Sequence, residues 1–208
     1  MRSLFINTSN KRLIIGIVED DKVLYEYSDT NNNDLSSRIM PIIDEAFTKS
    51  NLKPVDIDTI FVTNGPGSFT GIRIGLTIAK VMAWSLKIKV VPISTLELMV
   101  SGNYDYDYVL PLMDARRNNV FGALYDKNLN PIINDSFINY EDMINRANDK
   151  VSDYIIVSHD LKFEEPKYNI VKIINKHMND EGINPHELNP NYLKMTEAEE
   201  NLNKKEGE

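Results

Sequence analysis

The chain has no cysteine, one tryptophan and three histidines among its 208 residues. The lack of cysteine excludes disulfides, iron–sulfur clusters, thiolate zinc sites and cysteine nucleophiles. It is typical of proteins of the reducing cytoplasm, where we expect this protein to reside. No apolar run approaches the roughly 20 residues of a membrane span. Residues 1–6, MRSLFI, predict the start of a strand and not a signal peptide.

Histidine patterns that bind metal are also missing. His159, His177 and His186 lie late in the chain, without the His-x-x-x-His or His-Glu-x-x-His spacing of zinc sites. We therefore expect surface or packing roles for these three side chains, and we expect neither a metal nor a cofactor.

Positive charge is scarce. Lysine and arginine number 23 against 31 aspartates and glutamates, which gives a net charge of −8. A protein that binds nucleic acid on its own normally presents a basic surface to the phosphates. This sequence has no basic block, only pairs such as Arg116-Arg117. Unaided nucleic-acid binding is therefore not expected, although binding together with a basic partner stays open.

Apolar runs separated by turn-forming residues predict an α/β protein. In the first half, strands are predicted at 4–6, 13–18, 23–27, 57–63 and 90–93, and helices at 35–49, 71–86 and from Ser94. Pro41 predicts a kink or a later start of the first helix. Pro92 predicts an edge strand or the end of a strand.

The pattern begins again after residue 102, with strands at 108–113, 120–125 and 153–157 and a helix at 139–147. We therefore divide the chain into an N-terminal lobe, 1–102, and a smaller C-terminal lobe, 103–195. Thr196 and Glu199 form a capping box. Residues 196–208 are predicted to be a closing helix or a frayed tail.

The helix predicted at 71–86 has more apolar surface than one packing face needs. Its polar residues Arg73, Thr77 and Lys80 share one narrow stripe with Trp84, which leaves about 220° of apolar or small surface. A ridge of small residues at 71, 75, 79 and 83 would let another helix approach closely. Two interpretations remain open: the helix packs between its own sheet and the helix at 35–49, or it also packs against a second subunit.

Two polar segments could carry chemistry. The glycine-rich loop 65–71 could present N–H groups to an anion, but it lacks the Gly-Lys-Ser/Thr ending of a P-loop. Its Ser68 directly follows Gly67, unlike the serine of a nucleophile elbow, so a tight structural turn is favoured. Residues 114–117, DARR, end a predicted strand and form either a polar site or a strand-end ion pair.

Asn7-Thr8-Ser9 resembles the phosphate hairpin of actin-like ATPases and sugar kinases. Those folds carry an aspartate in this turn, whose carboxylate organises Mg²⁺ and the nucleotide phosphates. Asn7 is neutral and a poorer ligand for a hard cation. We therefore interpret Asn7, Thr8 and Ser9 as a vestigial phosphate loop.

Longer motifs resemble one family. Residues 65–76 read GPGSFTGIRIGL and residues 94–97 read STLE, and together they strongly resemble the TsaB (YeaZ) family. Residues 7–9, 40–43, 114–116, 189–194 and 197–199 add further matches. The likeness extends over most of the chain, although the C-terminal lobe is short and divergent.

The resemblance implies an actin-like (ASKHA, ribonuclease H-like) fold of two α/β lobes, with mixed sheets flanked by helices. It also implies a role in forming N6-threonylcarbamoyladenosine at position 37 of tRNAs that read codons beginning with A. In that pathway the paralogue TsaD holds the metal and performs the transfer, TsaB is its non-catalytic partner, and the small ATPase TsaE joins them. TsaB proteins also form homodimers.

Two departures from the family pattern bear on catalysis. The family usually has Asp-Thr-Ser where this chain has Asn7-Thr8-Ser9, and often His-Ser-Glu where this chain has Leu35-Ser36-Ser37. Both changes remove ligands for a metal or a phosphate. They weaken a catalytic interpretation and leave a scaffold interpretation untouched.

We therefore expect a non-catalytic subunit that binds TsaD and TsaE, meets tRNA only through the complex, forms a homodimer when alone and does not contact membranes. The residues predicted to bind the partner are Leu35, Ile39, Ile43, Gly71, Ile72, Gly75, Leu76, Ala79 and Ala83. On this prediction, Ala79→Arg abolishes the complex and leaves the monomer folded. The alternative is an ATP-binding phosphotransferase or ATPase of the same fold. A peptidase lacks support, because the sequence offers no suitable nucleophile or zinc site.

Overall fold

The structure is a computed structural model that describes residues 1–30 and 34–194. The predicted capping box at Thr196 and the closing helix or tail lie outside the described residues. Among the residues that are described, no helix combines the length and the apolar character needed to cross a membrane.

The first half of the chain forms a five-stranded sheet covered by helices. Its elements are β1 (Arg2–Asn7), β2 (Arg12–Glu19), β3 (Lys22–Thr30), α1 (Leu35–Ser50), β4 (Thr59–Gly65), α2 (Phe69–Leu86), β5 (Lys89–Ser94) and α3 (Thr95–Met99). The strand order is β3-β2-β1-β4-β5, in which β1, β2 and β3 pair antiparallel and β4 lies parallel to both β1 and β5.

Two prolines of the first half lie inside regular elements. Pro41 lies inside α1, which begins at Leu35, so the prediction of a later start is wrong. Pro92 lies in β5, the edge strand of the sheet, which confirms the edge prediction. An edge position suits proline because it needs no ladder N–H there.

The second half repeats the topology of the first. Its elements are β6 (Tyr108–Asp114), β7 (Asn119–Asp126), β8 (Pro131–Asn139), α4 (Tyr140–Lys150), β9 (Ile155–Val157) and α5 (Ile170–His177). Its sheet order, β8-β7-β6-β9, corresponds to β3-β2-β1-β4. The sequence pattern does not predict β8 or α5, because most β8 residues are half-buried without alternation and α5 is only 8 residues long.

The layers follow from alternation along the strands. Leu4 and Ile6 of β1 face a core that α1 and α2 cover, whereas Phe5 faces the space between the two sheets. α3 and α5 fill that middle layer, and α4 covers the outer face of the second sheet. This arrangement of two mixed sheets flanked by helices confirms the predicted fold class.

The end of the described chain returns to the first lobe. Ile183 donates its N–H to the Val90 carbonyl at 2.9 Å, and the Asn191 N–H bonds the Asn64 carbonyl at 2.7 Å. Leu188 is fully buried in the core between the first sheet and its outer helices. The sequence pattern places this stretch in the second lobe, but its apolar anchor is buried in the first.

Buried polar contacts join the elements of the middle layer. Glu97 of α3 bonds the Nε2 atom of His177 at 2.9 Å and pairs with the Lys176 ammonium at 3.1 Å. Burial alone would lower the pKa of His177, but its bonds to Glu97 and Asp180 outweigh burial and raise it. The Asp135 carboxylate of β8 accepts a hydrogen bond from the Ser94 hydroxyl, which connects β8 to the start of α3. Burial raises the pKa of this carboxyl.

His177→Gln tests the bond between α3 and α5. A histidine whose pKa is raised by folding stabilises the protein fully below its unfolded pKa, and this stabilisation is lost as pH rises through the folded value. We expect the variant to have a free energy of unfolding about 1–2 kcal/mol lower at pH 6. The difference in free energy of unfolding between the variant and the unchanged protein becomes smaller above about pH 6.5. Urea unfolding at several pH values measures it, with exposed His186→Gln as the control. A difference that is constant or grows with pH contradicts the assignment.

Candidate functional site

The turn between β1 and β2 is buried and internally bonded. The Asn7 Oδ1 atom accepts hydrogen bonds from the Ser9 hydroxyl and the Thr63 hydroxyl, both at 2.8 Å. The Asn7 Nδ2 atom donates to the Arg12 carbonyl at 2.5 Å and to the Asn10 side chain at 3.0 Å. An amide can both accept and donate in this way, whereas an ionised carboxylate has no N–H to give. The predicted vestigial phosphate loop is thus a structural turn with its polar atoms engaged.

Thr8 joins this turn to α2. Its hydroxyl donates to the Gly71 carbonyl at 2.7 Å. A Cβ atom on Gly71 would lie 2.0 Å from the Thr8 carbonyl oxygen, and one on Gly75 would lie 2.3 Å from the Thr8 Oγ1 atom. Glycine is therefore required at these two positions because the β1–β2 turn of the same chain packs there. These positions are not available to a helix of another protein.

The glycine-rich loop before α2 packs against the same turn. Ser68 donates its N–H to the Ser9 carbonyl at 2.7 Å, and its hydroxyl caps α2 by accepting the Gly71 N–H at 3.2 Å. Thr95 of α3 donates its hydroxyl to the Ser9 hydroxyl at 2.7 Å. Two motifs of the family resemblance, the 65–76 run and the 94–97 run, thus meet at one buried turn.

The residues predicted to bind a partner lie in the first lobe's own core. All of them are buried: Leu35, Ile39, Ile43, Gly71, Ile72, Gly75, Leu76, Ala79 and Ala83. α2 uses its wide apolar surface on β1 and β4, and on the returning segment that contains Leu188 and Tyr192. Ala79→Arg would therefore place a charge in the core and unfold the monomer, so it cannot test an interface. Any contact with a partner has to involve other side chains of these helices.

The outer face of α2 carries an apolar stripe. Ile74 and Ile78 are half-buried, and Val81 is 58% exposed. These three residues, here called the α2 stripe, follow the i, i+4, i+7 spacing of one helix face. Trp84 is 63% exposed beside them, and Met40 of α1 is 52% exposed.

A cleft of about 730 Å³ lies between the lobes. It is bounded by the β1–β2 turn, by the first turns of α1 and α2, and by second-lobe residues that include Asp114, His159 and Asp160. Lys11 pairs with Asp160 at 2.9 Å, and the Asn10 amide donates to the Tyr168 hydroxyl at 3.1 Å. These contacts connect the turn of the first lobe to the far wall of the cleft.

His159 belongs to this connection. Its ring lies between the Glu165 carboxylate, 2.5 Å from Nδ1, and the Tyr168 hydroxyl at Nε2. Burial lowers the pKa of His159 although Glu165 opposes the shift. The packing role predicted for this histidine agrees with its buried side chain. The sequence gives no signal for Tyr168, because its partner Asn10 lies 158 residues away.

Asp114 ends β6 at the mouth of the cleft. Its Oδ1 atom accepts the backbone N–H of Arg116 at 2.8 Å. Within residues 1–30 and 34–194, neither Arg116 nor Arg117 forms an ion pair with it. The interpretation as a strand-end ion pair is therefore wrong, since the carboxylate instead shapes the turn.

Comparisons with known proteins decide the family. The sequence model of the family described as "TsaD: tRNA N6-adenosine threonylcarbamoyltransferase" matches residues 29–189. A protein of Bacillus subtilis (strain 168), named tRNA threonylcarbamoyladenosine biosynthesis protein TsaB, is 30% identical, over 96% of this chain and 96% of its own length. The chain belongs to the TsaB family. A TsaB protein of Escherichia coli (strain K12) is 31% identical, over 64% of this chain and 58% of its own length.

Solved structures share the fold of this TsaB-family chain. "YeaZ from Pseudomonas aeruginosa" superposes with a TM-score of 0.74 and 15% identity, over 92% of this chain and 99% of its own. A second structure, described as an uncharacterized protein from the same organism with similarity to peptidase YeaZ, gives a TM-score of 0.77 and 15% identity, over 93% and 99%. The likeness shows a shared two-lobed architecture, and the predicted family resemblance is confirmed.

Gly75→Ala tests the close contact between α2 and the turn. We expect the added methyl to lower the free energy of unfolding by about 1–3 kcal/mol, because the Thr8 hydroxyl or the helix must shift. Thr8→Ala removes the clashing oxygen, so the double variant is expected to lose less stability than the sum of the single variants. Chemical unfolding measures all three, with exposed Thr77→Ala on the same helix as the control. Additive losses would contradict the proposed contact.

Proposed function

We propose that this chain is a non-catalytic accessory subunit in the formation of N6-threonylcarbamoyladenosine in tRNA. It binds a catalytic TsaD-type protein through the outer faces of α1 and α2 and acts in the cytoplasm. Membership of the TsaB family supports this proposal, as does the match to a family model described as the threonylcarbamoyltransferase itself. A chain that shares the fold of the transferase is suited to pair with it.

The Asn7 amide is the observation that carries the non-catalytic assignment. In the actin-like ATPases that this turn resembles, a carboxylate at this position organises the metal and the phosphates. Here Asn7 donates to the Arg12 carbonyl and the Asn10 side chain, and both acceptors would face a carboxylate without a hydrogen between them. The turn is therefore built for an amide and is closed to the ligand chemistry of an aspartate.

The α2 stripe is the proposed docking surface. Val81 exposes most of its side chain, and Ile74 and Ile78 extend the same face toward the N-terminal turn of α1, with the exposed Trp84 beside the stripe. An apolar stripe of this kind on a stable helix is suited to pack between the helices of a partner. A second copy of this chain would use the same stripe, so the homodimer and the heterodimer are expected to compete.

The net charge of −8 explains why the subunit would need its partners. An acidic chain repels the phosphates of tRNA, so a more basic catalytic subunit has to hold the RNA. A small ATPase of the TsaE type would join the pair and supply the nucleotide chemistry. With RNA binding and nucleotide chemistry assigned to its partners, the role left to this chain is to shape and position the catalytic subunit.

Val81→Asp tests the docking surface. A carboxylate buried in an apolar interface is strongly unfavourable, so we expect the dissociation constant for the TsaD-type partner to rise at least about tenfold. Val55→Asp is the matched control, because Val55 is 72% exposed and lies in the turn at residues 54–56, outside both α1 and α2. Both variants should unfold within about 2 °C of the unchanged protein. Calorimetry and gel filtration with the purified partner measure binding.

Equal binding by both valine variants would contradict the docking surface. The rival function, an ATP-dependent phosphotransferase or ATPase, is separated by calorimetry of the lone chain with Mg-ATP. Micromolar binding together with turnover would overturn the non-catalytic assignment. The ATP measurement does not use the valine variants, so the docking surface and the non-catalytic assignment can fail separately.

A further inference from the structure

The tip of the β6–β7 hairpin holds an unusual backbone. Arg116, Arg117 and Asn118 have φ angles of 66°, 53° and 61°, all in the left-handed region. Asparagine tolerates this region, whereas for arginine each such conformation is unfavourable. In the rest of the described chain, left-handed residues other than glycine occur singly. Strain of this kind persists only where the surroundings fix it, and it is concentrated at functional sites.

Several bonds hold the tip in place. Asp114 accepts the Arg116 N–H at 2.8 Å, and Asn119 donates its own N–H to the Arg116 carbonyl at 3.0 Å. The Asn119 amide reaches the Arg117 carbonyl at 3.2 Å, and the Tyr140 N–H, at the start of α4, bonds the Asn118 carbonyl at 2.9 Å. The backbone is thus fixed from three elements, while both arginine side chains are exposed.

The two guanidinium groups are available for a ligand. Among residues 1–30 and 34–194, Arg116 and Arg117 take part in no ion pair. Glu141 and Asp142 follow in the first turn of α4, and neither carboxylate pairs with the arginines within that part of the chain. Two adjacent arginines on a rigid tip are pre-organised cations, so binding orders only their side chains.

The position of the tip favours a large anion over a small one. Arg116 and Arg117 lie outside the cleft, whose lining includes Asp114 and Asp160, the latter paired with Lys11. A nucleotide in the cleft would meet these carboxylates and not the guanidinium groups. Exposed arginines at a hairpin tip instead suit the phosphates of a nucleic-acid backbone, which guanidinium groups bind without reading sequence.

We propose that the β6–β7 tip contacts the phosphate backbone of tRNA when this chain is in its complex. The inference rests on the proposed function, which brings tRNA to the complex. The rest of the acidic surface repels RNA, so a local pair of cations lets the second lobe lie against it. The contact would position the tRNA and contribute no base specificity.

The test is Arg116→Asn with Arg117→Asn in the complex with the TsaD-type partner of the same organism. Asparagine accepts the left-handed backbone, so the double variant removes charge without disturbing the tip. We expect labelled tRNA to bind on the order of tenfold more weakly. The slope of log affinity against log salt should fall by about 1 for each arginine that pairs with a phosphate. Arg116→Lys with Arg117→Lys should keep the slope, because the charge remains.

Lys22→Gln with Lys53→Gln removes the same charge from two exposed positions, the start of β3 and the connection between α1 and β4, neither of which lines the cleft. This control should leave tRNA affinity within about twofold. Unchanged affinity and slope in the asparagine variant would overturn the inference, as would an equal loss in the control. A variant that no longer elutes with the partner would also overturn it, since the tip would then be a protein contact. If the unchanged chain fails to bind the partner, the proposed function fails first and the inference fails with it.

Discussion

The buried turn between β1 and β2 determines how the first lobe is built. Asn7 uses both ends of its amide there, and Thr8 lies where a methyl group on Gly75 would collide with it. The starts of α2 and α3 are bonded to the same turn through Ser9. Because an unsatisfied buried polar group is costly, each of these residues constrains the others. Residues 7–9 and the 65–76 and 94–97 motifs are therefore packing motifs around one turn.

Under the proposed function, this constraint explains how the fold could serve without nucleotide chemistry. The sequence resemblance implies that an actin-like ATPase needs a carboxylate in this turn. Here the turn is closed on itself, and Asn10 and Lys11 connect it to the far wall of the cleft. The closed turn then supports α2, whose outer face exposes Val81, part of the proposed docking surface.

The fold could be predicted further from the sequence than the site could. Strand alternation and helical spacing locate nearly all elements of the first lobe, because each has a regular apolar pattern. β8 lacks such a pattern, α5 shows it over only 8 residues, and the burial of Leu188 in the first lobe depends on contacts distant in the chain. The structure does have the wide apolar face predicted for α2. The small residues at 71, 75, 79 and 83 nevertheless face inward, because the β1–β2 turn and the returning segment that contains Leu188 cover them. Periodicity measures how much surface is apolar and does not identify what covers it.

Because the two lobes repeat one topology, the turns at equivalent positions in the two sheets can be compared directly. β1 and β6 are equivalent strands, and each ends in a residue whose side-chain oxygen accepts the N–H two positions later, Asn7 from Ser9 and Asp114 from Arg116. Asn7 is fully buried, and Asp114 is exposed. An exposed turn lets water solvate the remaining oxygen of a carboxylate, whereas a buried turn favours a side chain whose polar atoms are all hydrogen-bonded. In this chain the buried turn carries an amide that is bonded at both ends, and the exposed turn carries an acid that faces solvent.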